Sequence, residues 1–200
     1  MRRFRTHLVL LAVLATLALS ALLPSTAGAT THKLGTGTAV VTLDPYVITF
    51  IEVGYPFFPA APAAIAFNAP GPRVAFPITG GAWNTKPHPH GTFLLKGGLF
   101  WVHYYPGPAL VTFTVPGWRA GVNTTTGWTG LVDGSREAIF DETLTGMHAT
   151  VRTIHGHKYL QVTGVALTYN ATFTTAFNSA FGTALTAEPF GTATLLARRK

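Results

Sequence analysis

The chain has 200 residues and not one cysteine. This excludes a disulfide framework and a lipid-modified N-terminal cysteine. Many small extracellular folds depend on bridges, so this one must rest on its core alone. Charge is also scarce, with 10% of residues Asp, Glu, Lys or Arg. So few charges do not suit the solvated faces of a helical bundle, but they suit sheets whose inner faces are buried. Glu, Lys and Gln are rare, while Thr, Val, Phe and Gly are abundant. β-branched and aromatic side chains fit a pleated, half-buried surface. Beyond residue 29 no apolar run reaches the length of a membrane span. There is no G-x-S-x-G, no H-E-x-x-H, no phosphate-binding loop and no dinucleotide fingerprint. Asp133, Glu137, Asp141 and Glu142 are the only acids that cluster. Asp141 and Glu142 are adjacent, and on a strand they face opposite ways, unlike the carboxylates that flank a glycosidic bond. The expectation is a protein that is not an enzyme.

What is present begins with an export signal. Arg2, Arg3 and Arg5 form a basic start, and Leu8 to Leu23 is apolar but for Thr16 and Ser20. Pro24 ends that run, and Ala27-Gly28-Ala29 has small-x-small cleavage spacing. The pattern reads as a signal peptide over residues 1–29, cleaved after Ala29. The remainder, residues 30–200, is long enough for a single domain. With the three signal arginines gone, 11 basic residues face 7 acidic ones, a balance of +4. Arg198, Arg199 and Lys200 supply three of those charges, so the body is nearly neutral. The pI of about 10.1 therefore does not indicate a nucleic-acid surface. The three are expected to form a solvated basic tail, able to touch an anionic cell envelope. The mature chain is expected to be secreted, with no transmembrane span.

Pattern and punctuation predict the elements. Gly35 to Leu43 reads as a strand, and Asp44-Pro45 as a helix cap and first turn, with the helix closing at Gly54; the β-branched residues of "YVITFIEVG" make a strand the rival reading there. Tyr55 to Arg73 holds Pro56, Pro59, Pro62, Pro70 and Pro72. It cannot be a central strand, so an extended connection with an edge segment near Ala63 to Phe67 is expected. "RVAFPITGG" reads as a strand ending at a glycine turn. "GTFLLKGGLFWVHYY" reads as two strand runs about Gly97-Gly98, a hairpin or one bulged strand. Further strands are expected in "ALVTFTVPG" and "GTATLLA", one among the turn residues of "GVNTTTGWTGLVDG", one or two in "REAIFDETLTGMHATVRTI", and one after the turn that opens "HGHKYLQVTGVALTYN". Phe173, Ala176, Phe177, Ala180 and Phe181 have helical spacing, with Asn170 or Thr168 as cap and Gly182 as stop. The fold class is mainly β, an antiparallel β-sandwich-like domain with two short helices.

The order "VTLDP", "FPITGG", "GTFLLKGGLFW" and "VTGVALTYNATFTTAFNSAFGTALTAEPFGTATL" resembles the HtaA-type domain of secreted Gram-positive bacterial proteins, from about Thr36 to Leu196. The resemblance implies a surface-associated, mostly β domain. Characterised members of that family bind haem for iron acquisition, with a tyrosine on the iron in an early W-G…S-F-x-x-Y segment. "LDPYVITFIEVG" occupies that place here, with Val53 at the tyrosine position and no Trp-Gly pair. Leu95 and Lys96 stand where relatives tend to carry a histidine.

Three site readings follow. For haem, His103, Tyr104 and Tyr105 lie on one strand, with Phe100, Trp101, Phe113 and Trp118 available to clamp a porphyrin. Tyr46 and Tyr55 flank the first helix, and Tyr159 and Tyr169 lie in late strands. For a metal ion, the H-x-H pairs His88/His90 and His155/His157 form a four-histidine site if both turns lie at one end of the fold. For an apolar ligand or a surface partner, Phe57, Phe58, Trp83, Trp118 and Trp128 offer an exposed aromatic patch. The expected function is a secreted or cell-surface, non-catalytic binding or structural domain of HtaA type, its ligand unspecified. Haem binding or uptake at the cell envelope and metal binding through the H-x-H loops are the alternatives, and cell-envelope components are the expected partners.

Overall fold

Period-two alternation shapes the long strands. In β1 (Thr31–Leu43), Ala39, Val41 and Leu43 are buried, while Val40 and Thr42 between them are only half-buried. One face of the strand therefore belongs to the core. The structure, a computed structural model, describes residues 30–52, 55–67, 71–86, 88–104 and 110–200. The signal-like segment and the expected helix stop at Gly54 lie outside these residues. After β1 comes α1 (Pro45–Glu52), then β2 (Phe57–Ala60), β3 (Ala64–Ala66), β4 (Arg73–Asn84), β5 (His90–Leu95) and β6 (Gly98–Tyr104). Then follow β7 (Leu110–Pro116), β8 (Arg119–Val122), β9 (Trp128–Val132), β10 (Ser135–Thr143) and β11 (His148–Ile154). β12 (His157–Tyr169), α2 (Ala171–Phe181) and β13 (Pro189–Arg199) complete the order. The expected antiparallel, mainly β class with two short helices is what the chain adopts.

The larger sheet runs β1-β13-β12-β10-β9-β8-β5-β4, and β4 pairs back onto β1, closing the sheet into an antiparallel barrel of eight strands. β3 extends the outer edge of β4, and β11 pairs with the first half of β12. A separate sheet, β2-β6-β7, stands beside the barrel, with α2 packed against β7 and β10. A barrel of eight strands is just wide enough to be filled by its own side chains. Here Phe76, Trp118, Phe140 and Phe190 stack across it, with successive ring centroids 5.4, 5.4 and 4.3 Å apart. The interior is a packed core, not a ligand chamber.

Capping sets both helices as their sequences foretell. The Asp44 carboxylate accepts from the Tyr46 N–H at 2.9 Å. Asn170 caps α2 by accepting from the Thr172 N–H at 2.8 Å, and Gly182 ends it in the left-handed conformation.

Three local expectations fail. β4 does not stop at Gly80-Gly81 but continues to Asn84, because β5 pairs alongside it through Gly81↔Phe93 and Trp83↔Gly91. The two runs about Gly97-Gly98 are neither a hairpin nor one bulged strand. β5 pairs with β4 and β8 in the barrel, whereas β6 pairs with β2 and β7 in the small sheet. The chain changes sheet at Gly97, whose φ is 95° and whose added Cβ would lie 2.6 Å from the Ala63 nitrogen. Only glycine fits there. The basic tail is not a solvated end: Arg198 and Arg199 belong to β13, and the Lys200 N–H reaches the Lys33 carbonyl at 2.9 Å.

Candidate functional site

The β2–β6 register, Phe57↔Trp101, brings the residue just before β2 alongside the end of β6. The Val102 N–H donates to the Pro56 carbonyl at 2.9 Å, which holds that approach. Tyr55 therefore lies against His103, with ring centroids 4.5 Å apart and planes 24° from parallel. Phe181, the last residue of α2, lies 6.0 Å from each ring. Behind them Trp101, Phe113, Phe173 and Phe177 are buried, Trp101 meeting Phe173 at 5.3 Å. Tyr55 and His103 are half-buried. The cluster thus grades from a dry aromatic wall to a phenol and an imidazole near solvent. A phenolate oxygen suits ferric iron, and an adjacent imidazole can exchange the phenol proton.

Of the predicted trio, the structure places His103 in this cluster. His103 shares the helix-facing side of β6 with the buried Leu99 and Trp101. Tyr104 pairs with Leu110 in the β6–β7 register, and Tyr105 lies outside the described residues. Tyr55 is the partner that sequence reasoning did not choose, since the prolines around it hide a strand pairing. The porphyrin clamp also fails in part, because Trp101 and Trp118 are wholly enclosed core residues. Phe100 turns to the other face and stacks on Phe58 at 5.5 Å. Of the expected exposed patch, Phe57, Trp83, Trp118 and Trp128 are buried and only Phe58, 41% exposed, meets solvent. Tyr169 is core as well, nearly parallel to Phe173, and burial holds its phenol far above the ordinary tyrosine range.

The histidine pairs do share one end of the barrel, since β12, β1 and β5 begin there and β13 and β4 end there. They are nevertheless strung along the rim. His157 and His90 are four strand spacings apart by way of β13, β1 and β4, about 19 Å along the sheet. Two of the four rings are also engaged. His157 Nδ1 accepts from Arg198 at 3.0 Å. His90 Nδ1 donates to the His88 carbonyl at 2.7 Å, which leaves Nε2 to accept from Asn84 at 3.0 Å. His32 takes the Arg199 guanidinium at 2.8 Å. Among the described residues no three His, Asp or Glu side chains gather as a metal site. The two pairs are thus not brought together: sheet geometry keeps them apart along the rim, and His157 already holds the Arg198 guanidinium.

An open cleft of about 470 Å³ lies beside β10, lined by Thr124, Thr129, Arg136, Asp141, Glu142 and Asn170 among others. Its charged groups serve the scaffold. Asp141 accepts from the α2 cap Asn170 at 2.8 Å, and Arg136 donates to the Gly117 carbonyl. Glu142 accepts from the Thr124 N–H at 3.2 Å, and burial raises its carboxyl above the ordinary glutamate range against the pull of that bond.

No protein-family model matches the chain, and no curated protein matches it. Among solved structures, the chain is similar to the C-terminal domain of HtaA from Corynebacterium glutamicum, with a TM-score of 0.59 over 84% of this chain and 99% of that one. At 10% identity the likeness is one of fold: this chain is built on the architecture of the HtaA C-terminal domain.

Proposed function

We propose that this is a non-catalytic, ligand-binding domain of the cell exterior. Its ligand site is the Tyr55–His103–Phe181 end of the small sheet, and ferric haem is its cargo. The observation that carries this reading is the Tyr55–His103 stack, half-buried at the open edge of an otherwise dry aromatic wall. The packed barrel leaves no room inside for a ligand of that size, so the site belongs on the outside of the barrel. The sequence resemblance to HtaA-type domains places the iron-binding tyrosine on Val53, outside the described residues. Tyr55 is two residues further on and stacks on His103. In this reading Tyr55, as its phenolate, would hold the iron, His103 would take up the phenol proton, and Phe181 would offer an apolar contact to the porphyrin.

Hemin titration tests the proposal. The native protein is expected to shift and sharpen the Soret band with one equivalent of hemin. Tyr55→Phe is expected to abolish the tyrosinate-to-iron charge-transfer band, and His103→Ala to weaken binding about tenfold or more. A native protein that leaves the hemin spectrum unchanged, or a Tyr55→Phe variant with the native spectrum, would end the assignment.

A further inference from the structure

Strands β11, β12, β13 and β1 lie side by side and contain no Asp or Glu. All seven acids of the chain lie elsewhere: Glu137, Asp141 and Glu142 on β10, Glu52 on α1, and Asp44, Asp133 and Glu188 in connections. On the outer face of the four strands the cations accumulate. Leu34, Leu160 and Ala197 are buried, so alternation turns Lys33, Tyr159, Arg198 and Lys200 outward. Arg152, opposite Tyr159, joins them. Lys33, Arg152, Arg198 and Lys200 are all exposed.

The face is ordered as well as charged. Arg198 is held by His157 Nδ1 at 3.0 Å and Arg152 by the Gln161 side-chain oxygen at 3.0 Å. Neither acceptor is a carboxylate, so the guanidinium is oriented without an acid to cancel it. Gly35 leaves room for Lys200, since a Cβ there would meet Lys200 Cε at 3.3 Å. Three strand spacings separate β11 from β1, about 14 Å. The cations therefore form a strip across the strands, not a point.

We infer that this outer face of β11-β12-β13-β1 is a docking surface for an anionic phosphodiester polymer of the cell envelope, of polyol-phosphate type. Guanidinium forks match phosphate oxygens, and Thr150 and Gln161 beside them can bond a polyol backbone. Flanking residues favour that partner over other polyanions. Tyr159, the aromatic of this face, is half-buried, which leaves no platform for stacking bases. The large apolar residues that alternation turns to this face, Val40, Ile154 and Leu196, are half-buried, so none stands clear of the sheet to enter a bilayer. The inference assumes export but not the Tyr55 site, so Tyr55→Phe leaves it untouched.

The test uses protein expressed from the full-length sequence and soluble poly(glycerol phosphate) as the probe. Binding is measured from about 50 to 300 mM salt, a range over which counterion release makes log affinity fall linearly with log salt. The combined variant Lys33→Gln, Arg198→Gln, Lys200→Gln is expected to bind at least tenfold more weakly at low salt, with a shallower salt slope. A second variant, Lys33→Gln with Arg152→Gln, leaves β13 intact and is expected to lose at least threefold. Arg73→Gln with Lys96→Gln, at the other end of the barrel, is expected to bind as the native chain does. Native thermal midpoints in each variant tie the loss to the surface. No binding by the native chain at low salt overturns the inference, as does unchanged affinity in both rim variants. Equal or tighter binding of a single-stranded oligonucleotide, or of phosphatidylglycerol vesicles, overturns it in favour of those partners.

Discussion

Glu142 shows how a single residue here pays for its place. One carboxylate oxygen accepts the Thr124 N–H, while the other is buried without a partner. Burial raises the carboxyl pKa, so the folded chain holds this proton more tightly than the unfolded chain. Folding then takes up a proton between the ordinary glutamate value and the raised one, and stability falls as pH rises through that window. Glu142→Gln keeps the shape and the Thr124 bond but removes the charge. Urea unfolding is expected to show matching midpoints for variant and native near pH 4, and a higher midpoint for the variant near pH 7. Equal midpoints at both values would mean that the carboxylate is ionised without penalty.

At the scale of elements, irregularities position the parts. The register between β12 and β13 slips between Val162 and Val165. Gly164 sits in that slip with φ 74°, and a Cβ there would fall 2.0 Å from the Gly146 carbonyl oxygen. Gly156, in the β11–β12 turn, has a similar φ of 78° but open space around it. Gly156→Ala is expected to cost about 1 kcal/mol, the left-handed penalty alone. Gly164→Ala adds a backbone collision and is expected to cost at least about 3 kcal/mol. Chemical denaturation of the two variants separates the terms, and equal losses would show that the bulge yields freely. α2 belongs to the same scale. Phe173, Phe177 and Phe181 bury one stripe of it against β7 and carry the aromatic wall out to Tyr55 and His103.

For the whole molecule, closure by β1 on β4 decides what is strong and what is weak. β1, β13 and the second half of β12 each have partners on both sides, while β11 has one partner and is exposed or half-buried throughout. Hydrogen exchange is expected to divide accordingly. Amides of β1 and β13 should exchange only with global unfolding, and those on the unpaired edge of β11 orders of magnitude faster. Uniform protection across β11 and β13 would indicate a further partner on the β11 edge. Closure also explains the location of candidate chemistry. A filled barrel offers only its outside, its rim and the small sheet beside it, where the Tyr55 cluster and the cationic face lie on different elements.

Much of this was legible in the sequence, because it depends on local periodicity and local chemistry. Alternation identified the long strands, the i, i+3, i+4 phenylalanines identified α2, and Asp44, Asn170 and Gly182 marked helix ends. The absence of cysteine and the scarcity of charge pointed correctly to a disulfide-free, sheet-built core. Only tertiary structure decided what depends on which strand lies beside which. It separated the two runs about Gly97 into different sheets and drew Arg198 and Arg199 into β13. It strung the histidine pairs along a rim, and it set Tyr55 against His103 across 48 residues of chain. Pairing between strands distant in sequence is a matter of long-range register and packing, and no short window of residues carries it.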